Sequence, residues 1–528
     1  MQNAAPHGAA MTDPTATATA AATADLPFEA IAGRIREHAE RDPDHLALVD
    51  TAGSLDYAGL DALMDRVAAS LRMNGIAPGQ SIALCAASSV RYAAVFLGAL
   101  RAGVAVAPLS PSVTAASFAS MLADSQARLL FVDAAALELL TADAALPPQV
   151  ALDAAAPGTR FDAWLAAPGS RPDAVAIDPA MPFNIIYSSG TTGAPKGIVQ
   201  SHGMRWTHVS RGGLFGYDAS SVTLLATPLY SNTTLVSFFP TLAFGGTVVL
   251  MAKFDADAYL ALAAQHRATH TMLVPVQYQR LMASPRFGDH DLGAFRFKFC
   301  TSAPFAAELK ADVLARWPGG LVEYYGMTEG GGTCILAGHE HPTKLHTVGQ
   351  PAEGHDIRVI DEAGCELPRG AIGEIVGHSP GMMSGYFGQP AKTAEAEWFC
   401  AAGKRFIRTG DIGRFDDEGF LILLDRRKDM IISGGFNVFP SDLEAMLRQH
   451  PAVADAAVVG VPSERWGETP VAWVVMRGDA GIDAETLRGW ANERLGKTQR
   501  IASLRFIHEL PRSAIGKVLK RELRDGHP

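Results

Sequence analysis

Short runs of consecutive apolar residues alternate along most of this chain with longer stretches whose apolar positions recur every three to four residues. The first spacing predicts buried strands, the second helices with one face in the core. Residues 28–40, 57–73 and 92–100 are predicted helical, and 46–50, 82–85 and 104–108 extended, an order that implies βαβ units on a parallel sheet. A second series of extended runs, at 222–227, 247–251, 271–275, 295–300 and 321–325, has helical stretches such as 306–317 between its members. From about Gly349 the period shortens to strands and turns (357–361, 373–376, 420–424), which predicts a smaller β-rich subdomain over 349–425. The remainder reads as a compact α+β unit. Within it, Ser441 and Glu444 predict a capping box that opens a helix over 442–450 just after Pro440.

The expected fold is therefore α/β: a large N-terminal domain (27–427) of parallel-rich sheets with helices plus the β-rich subdomain, followed by a small α+β C-terminal domain (428–528). A chain of 528 residues is too long for one core. Residues 1–26, rich in Ala and Thr, read as a disordered tail without the basic start and apolar core of a signal peptide. The charged run Asp425-Arg426-Arg427-Lys428-Asp429, between two apolar runs, is the candidate hinge. Net charge of −10 argues against nucleic acid as the main partner. Five cysteines, at 85, 300, 334, 365 and 400, make no CxxC pair, which fits a reducing cytoplasm and neither a disulfide framework nor a structural zinc site. No apolar run approaches the ~20 residues of a membrane span. A cytoplasmic protein is expected.

The chemistry concentrates in Tyr187-Ser188-Ser189-Gly190-Thr191-Thr192-Gly193-Ala194-Pro195-Lys196-Gly197, which follows an apolar run. Three glycines that free backbone N–H groups, four aliphatic hydroxyls and one ammonium suit a triphosphate. It is not a Walker loop: Pro195 stands where the second glycine belongs, and Gly197 follows the lysine instead of Ser or Thr. The whole string resembles the signature loop of the acyl-adenylate-forming enzymes, that is acyl- and aryl-CoA synthetases, peptide-synthetase adenylation domains and firefly-type luciferases. Four further segments occur in the family's order.

The resemblance implies a role for each. In Glu323-Tyr324-Tyr325-Gly326-Met327-Thr328-Glu329, Tyr325 and Gly326 would lie against adenine, Thr328 would contact phosphate and Glu329 would hold the magnesium that accompanies ATP. One carboxylate suffices for Mg²⁺, which takes its remaining ligands from phosphates and water. In Arg408-Thr409-Gly410-Asp411, Asp411 would bond the ribose hydroxyls, with Arg426 near the same nucleotide and Lys428 at the pivot of a mobile C-terminal domain. In Pro511-Arg512-Ser513-Ala514-Ile515-Gly516-Lys517, Lys517 would bridge the substrate carboxylate and the α-phosphate. Ser433-Gly434-Gly435-Phe436-Asn437 resembles the glycine loop that lines the pantetheine tunnel after the domain has rotated. Ser188, Ser189, Gly190, Thr191, Thr192, Gly193 and Lys196 would cradle the phosphates. The implied cofactors are ATP, Mg²⁺ and coenzyme A.

Two departures stand out. Pro228-Leu229-Tyr230-Ser231 lacks the histidine that many members place at the end of this string, and Ile515 replaces a usual Ser or Thr. The candidate acyl pocket (Tyr230, Ser231, Asn232, Thr301, Ser302, Ala303, Gly331) lies in segments without Arg or Lys, which points to a hydrophobic aliphatic or aromatic monocarboxylate rather than a dicarboxylate. Residues 227–239 also lack the acidic residue that an amino-acid-activating domain needs to pair its substrate's ammonium. An acid–CoA ligase is expected. Transfer to a carrier protein, luciferase-type oxygenation and a catalytically silent nucleotide-binding regulator are the alternatives. Two decoys fail on chemistry: Gly377-His378-Ser379-Pro380-Gly381 fits G-x-S-x-G, but Pro380 has no N–H for an oxyanion hole. His339-Glu340-His341 is not HExxH, and its i, i+2 spacing separates the imidazoles on a helix.

Overall fold

The computed structural model describes residues 27–140, 146–188, 196–434, 436–478, 481–496, 499–513 and 516–526. Two large sheets carry the N-terminal part. One runs in the order Gly385–Tyr386, Lys196–Ser201, Pro182–Ser188, Ala105–Pro108, Ser81–Cys85, Leu130–Val132, Gln149–Ala151 and Thr159–Arg160. The other runs Gln350–Pro351, Thr333–Ala337, Gly320–Gly326, Phe297–Cys300, His270–Leu273, Val222–Leu225, Thr247–Leu250, Leu46–Val49 and Ser54–Asp56. The central strands of each sheet pair in parallel and are buried on both faces, as is every residue of Ser81–Cys85.

Helices between the sheets are apolar around most of their circumference for the same reason. In Asn232–Ala243 nearly every residue is buried, and Phe239 meets Phe96 of Val90–Arg101 and Phe183 of the first sheet edge-on, at ring distances of 5.6 and 5.0 Å. A third sheet (Asp356–Ile360, Gly373–His378, Arg405–Phe415, Glu397–Phe399, with Leu421–Arg426 on Arg405–Phe415) is the expected β-rich unit. The fourth belongs to the C-terminal α+β unit: Phe436–Val438, Ile431–Ser433, Gly467–Met476 and Val453–Ser463, with Ser503–Phe506 on Gly467–Met476.

The end of the phosphate-loop string opens a strand, Lys196–Ser201, antiparallel to Pro182–Ser188 with Ser188 opposite Lys196. Two expectations are corrected. Leu46–Val49 does not join Ser81–Cys85; it crosses to the second sheet and pairs in parallel with Thr247–Leu250. The capping box is absent: the helix is Pro440–Arg448 with proline in its first turn. There the Ser441 amide donates to Asp425 Oδ2 at 2.9 Å and the Ser441 hydroxyl to the Leu424 carbonyl. Glu444 is drawn away to the Val458 amide and the Lys520 ammonium, both at 2.9 Å. Its carboxylate does more bridging a strand to the C-terminal helix Lys520–Asp525 than closing its own helix end.

Candidate active site

Arg405–Phe415 and Leu421–Arg426 pair antiparallel, with Asp411 opposite Arg426. The register makes an ion pair, Arg426 Nε to Asp411 Oδ1 at 2.8 Å, while the Tyr325 hydroxyl donates to Asp411 Oδ2 at 2.8 Å from the end of Gly320–Gly326. Gly410, at φ +69°, supplies the left-handed residue that turns the strand just before Asp411. Burial pushes the Asp411 carboxyl above its ordinary range, and Arg426, Tyr325, Lys517 and Lys428 oppose that shift. A buried carboxylate beside an aromatic ring at a sheet end suits the ribose and base of a nucleotide.

Lys517 reaches this cluster from the far end of the chain. Its loop closes on itself through Ser513 N to Lys517 O (2.8 Å), Leu519 N to Pro511 O (2.8 Å) and Arg512 Nη1 to Gly516 O (2.7 Å), with Arg512 anchored on Asp455 at 2.5 Å. Gly516 (φ +75°) sits against Pro275–Ala283 of the large domain, where a methyl would lie 3.0 Å from Val276 Cγ1. Burial pulls the Lys517 ammonium below its ordinary range, as does Arg426, while Asp411 and Glu329 oppose the shift. Lys428, lowered first by burial, is held among Asp429, Arg426, Arg524 and Asp411. The structure thus gathers Lys517, Asp411, Glu329, Arg426 and Lys428 into one electrostatic cluster.

Glu329 Oε1 accepts the Tyr386 hydroxyl at 2.9 Å, and the same ring lies 5.0 Å beneath the Lys196 ammonium. Lys196, Tyr386 and Glu329 thus form one wall. Among the described residues no group of three or more His, Cys, Asp and Glu could cage a metal ion. Glu329 fits Mg²⁺ as a single carboxylate beside bound phosphates. Thr328 is tied through its carbonyl to Gln200 Nε2 at 2.8 Å. Ser189 to Gly193 lie outside the described residues, as does the Ser188 side chain.

On the acyl side, Ser231 caps Asn232–Ala243, its hydroxyl accepting from the Thr233 amide at 3.3 Å. The Thr233 and Ser302 hydroxyls meet at 2.5 Å, with Ser302 held at φ +83°, and Thr301 Oγ1 donates to the Tyr324 carbonyl at 2.8 Å. Tyr230 is half-buried, with hydroxyls of Ser110 and Ser112 near its own, and Ala303 continues the turn. Gly331 belongs to a glycine floor pressed on the β-rich sheet: a methyl on it would meet Ile407 Cβ at 2.7 Å, and a methyl on Gly377 would meet the Gly331 carbonyl oxygen at 1.6 Å. Gly377→Ala is accordingly expected to destabilise the fold by about 1–3 kcal/mol of overpacking or more, to lower the melting temperature, and to lose activity with it. A scan that leaves the melting temperature unchanged contradicts this packing.

Gly434 and Phe436 stand apart from the cluster. They lie on the hairpin Ile431–Ser433/Phe436–Val438, where Trp466 covers Gly434 and Phe436 is 58% exposed; Gly435 is outside the described residues. The rejection of Ser379 as a nucleophile gains a second ground, since its hydroxyl is buried and donates to the Gly330 carbonyl at 2.6 Å. Tyr386, Gln200 and Arg205 escaped the sequence reading. Arg205 corrects the view that the acyl pocket has no cation near it, because its Nη2 donates to Asn232 Oδ1 at 2.9 Å. The available signal was an arginine among apolar neighbours, Met204 and Trp206.

Comparison with known proteins gives the family. A feruloyl-CoA synthase of an Amycolatopsis species is 34% identical over 496 residues, 92% of this chain and 96% of its own. An indoleacetate–CoA ligase of Aromatoleum aromaticum is 34% identical over 511 residues, 93% of this chain and 96% of its own. The crystal structure of ATP-bound MatB from Rhodopseudomonas palustris is similar with a TM-score of 0.83 at 31% identity, over 94% of this chain and 98% of its own. Residues 35–387 match the AMP-binding enzyme family and 442–517 its C-terminal domain, and with nucleotide, lysine-loop and acyl-side residues arranged as above, the chain belongs to the AMP-binding, acyl-adenylate-forming enzymes.

Proposed function

We propose that this protein is an ATP-dependent carboxylic acid–CoA ligase acting in two steps, on a hydrophobic aliphatic or aromatic monocarboxylate. The observation that carries the reading is a loop seated against Val276 that brings the half-buried Lys517 ammonium under the charges of Asp411 and Glu329. A carboxylate and a polyphosphate repel one another, so attack of the acid's oxygen on the α-phosphorus needs fixed positive charge more than a general base. Lys517 supplies that charge between acid and nucleotide, Lys196 and the phosphate loop hold the departing pyrophosphate, and Tyr325 with Asp411 holds the nucleoside. Magnesium, when bound at Glu329, neutralises phosphate charge. In the second step the CoA thiol attacks the acyl carbonyl and AMP leaves.

Lys428 is the proposed pivot between a domain of residues 27–427 and one of 428–528. Withdrawal of the Lys517 loop from Val276 would then bring Gly434, Gly435 and Phe436, of which Phe436 is now exposed, to the tunnel for CoA. The relatives named for ferulate and indoleacetate support an aromatic acid. No helix of the described residues is long and apolar enough to cross a membrane. A cytoplasmic location is proposed, consistent with cysteines that are all free.

The test is pyrophosphate release with MgATP across aliphatic, aromatic and amino acids, each with and without CoA. Acyl-CoA and AMP formed only when CoA is present are expected. Acyl adenylate without thioester would move the reading to a carrier-protein acceptor, and no pyrophosphate with any acid would overturn it.

A further inference from the structure

Arg205 is 1% exposed, yet among the described residues it forms no ion pair. Burial alone pulls its guanidinium down to about 9, so it stays charged at neutral pH. The Phe183 and Phe239 rings face it at 5.6 and 5.5 Å. Nη2 donates to Gln200 Oε1 and Asn232 Oδ1, while Nε and Nη1 have no partner among the described residues. An unpaired buried cation costs several kcal/mol, of which ring contacts return about 2 kcal/mol at most. An apolar side chain of that volume would avoid this cost, against the loss of one donor to the buried Gln200 Oε1. The charge therefore has a use other than folding.

Two amides show where it acts. Gln200, fully buried, donates Nε2 to the Thr328 carbonyl at 2.8 Å and to Asn232 Oδ1 at 3.4 Å. Asn232 is half-buried and opens the helix Asn232–Ala243 beside Ser231, whose own hydroxyl is used as the cap. A guanidinium is a donor only, so it fixes the Asn232 amide with Oδ1 inward and Nδ2 free for the pocket. A hydrogen bond from a cation also polarises that amide and strengthens its N–H as a donor. Through Gln200 the same cation is linked to Thr328, next to Glu329.

We propose that Arg205 is a positioning residue for the first half-reaction: through Asn232 it aims a polarised N–H at the carboxylate of the acid and so sets affinity for the acid rather than for ATP. This rests on the ligase reading above. The experiment measures kcat and KM for acid and for ATP in adenylation, the rate of thioester formation from supplied acyl adenylate, and the melting temperature, for Arg205→Met, Asn232→Ala and the double variant. Each single variant should raise the KM for the acid about tenfold or more and leave the KM for ATP and the second half-reaction within about threefold. The double variant should be no worse than Asn232→Ala, since both act through one amide. Arg205→Met should melt within a few degrees of the parent chain, relief of the buried charge offsetting the donor lost to Gln200. Additive losses, parallel loss of both half-reactions, or a lower melting temperature with loss of all activity would overturn the proposal. Asn232→Ala, on the half-buried face, tests it independently of how Arg205→Met folds. A parent chain that forms no adenylate overturns the ligase reading and this inference with it; an active parent whose variants keep its KM for the acid overturns this inference alone.

Discussion

Lys517→Ala is expected to lower adenylate formation by about 10²-fold or more while leaving thioester formation from supplied acyl adenylate within about threefold of the parent rate. The split follows from geometry. The Lys517 loop is docked on Val276 with its ammonium near the charges of Asp411 and Glu329, the arrangement that the proposed first half-reaction requires. Once the adenylate exists, no second anion has to be brought against it, and the lysine's charge has no further task. A pH dependence follows from the same burial. Because the ammonium is shifted below its ordinary range, the protonated, active form is lost as pH rises through the lowered value, earlier than for an exposed lysine. Initial rates of pyrophosphate release should therefore fall on the alkaline side in the parent chain, and Lys517→Ala should lack that limb. Equal loss of both half-reactions would show that the lysine serves the fold or both chemical steps.

Asp411→Ala should cut kcat/KM for ATP by about 10²-fold or more with the KM for the acid nearly unchanged. The alanine would leave the Arg426 guanidinium and the Tyr325 hydroxyl without the carboxylate that each meets at 2.8 Å. The Arg426 side chain is 47% exposed, so losing this ion pair costs the fold only about 1 kcal/mol or less, and the expected loss falls on nucleotide binding instead. Unlike Lys517→Ala, this variant should impair both half-reactions, since both require the nucleoside to be held. Steady-state rates at varied ATP, with a melting scan to verify folding, decide the matter; an unaltered KM for ATP would remove Asp411 from the nucleotide site.

Local patterns were legible where local physics decides. The helix Tyr57–Met73 has the bounds expected from its apolar spacing, with Asp56 capping it through a 2.7 Å bond from the Gly59 amide. The strands of the second sheet begin within two residues of their apolar runs. What failed depended on partners distant in sequence. Nothing in Leu46–Val49 itself says that Thr247–Leu250, two hundred residues later, outcompetes Ser81–Cys85 for its edge. Ser441 and Glu444 satisfy the spacing of a capping box, and lost it to Asp425 and Lys520, which only the assembled C-terminal unit brings near.

The site divides in the same way. Asp411, Glu329 and Lys517 were singled out because each sits in a string that resembles a family motif; an acidic residue after a glycine turn or a lysine in a loop would not by itself have assigned them. Tyr386 and Arg205 were not, since each contributes one side chain from an element with no other polar purpose. The acid's identity is least legible, as hydroxyls and glycine from three separated segments, Ser231 to Thr233, Thr301 to Ala303 and Gly330 to Gly332, shape one lining.

The most direct test of a reaction through an acyl adenylate is to supply an accepted acid labelled with ¹⁸O in its carboxylate, with MgATP and CoA, and to weigh the nucleotide formed. AMP carrying one labelled oxygen is the predicted result, because the carboxylate oxygen that attacks the α-phosphorus stays with the phosphate when the thiol takes the acyl group. Formation of ADP, or unlabelled AMP with the label in pyrophosphate, would contradict it.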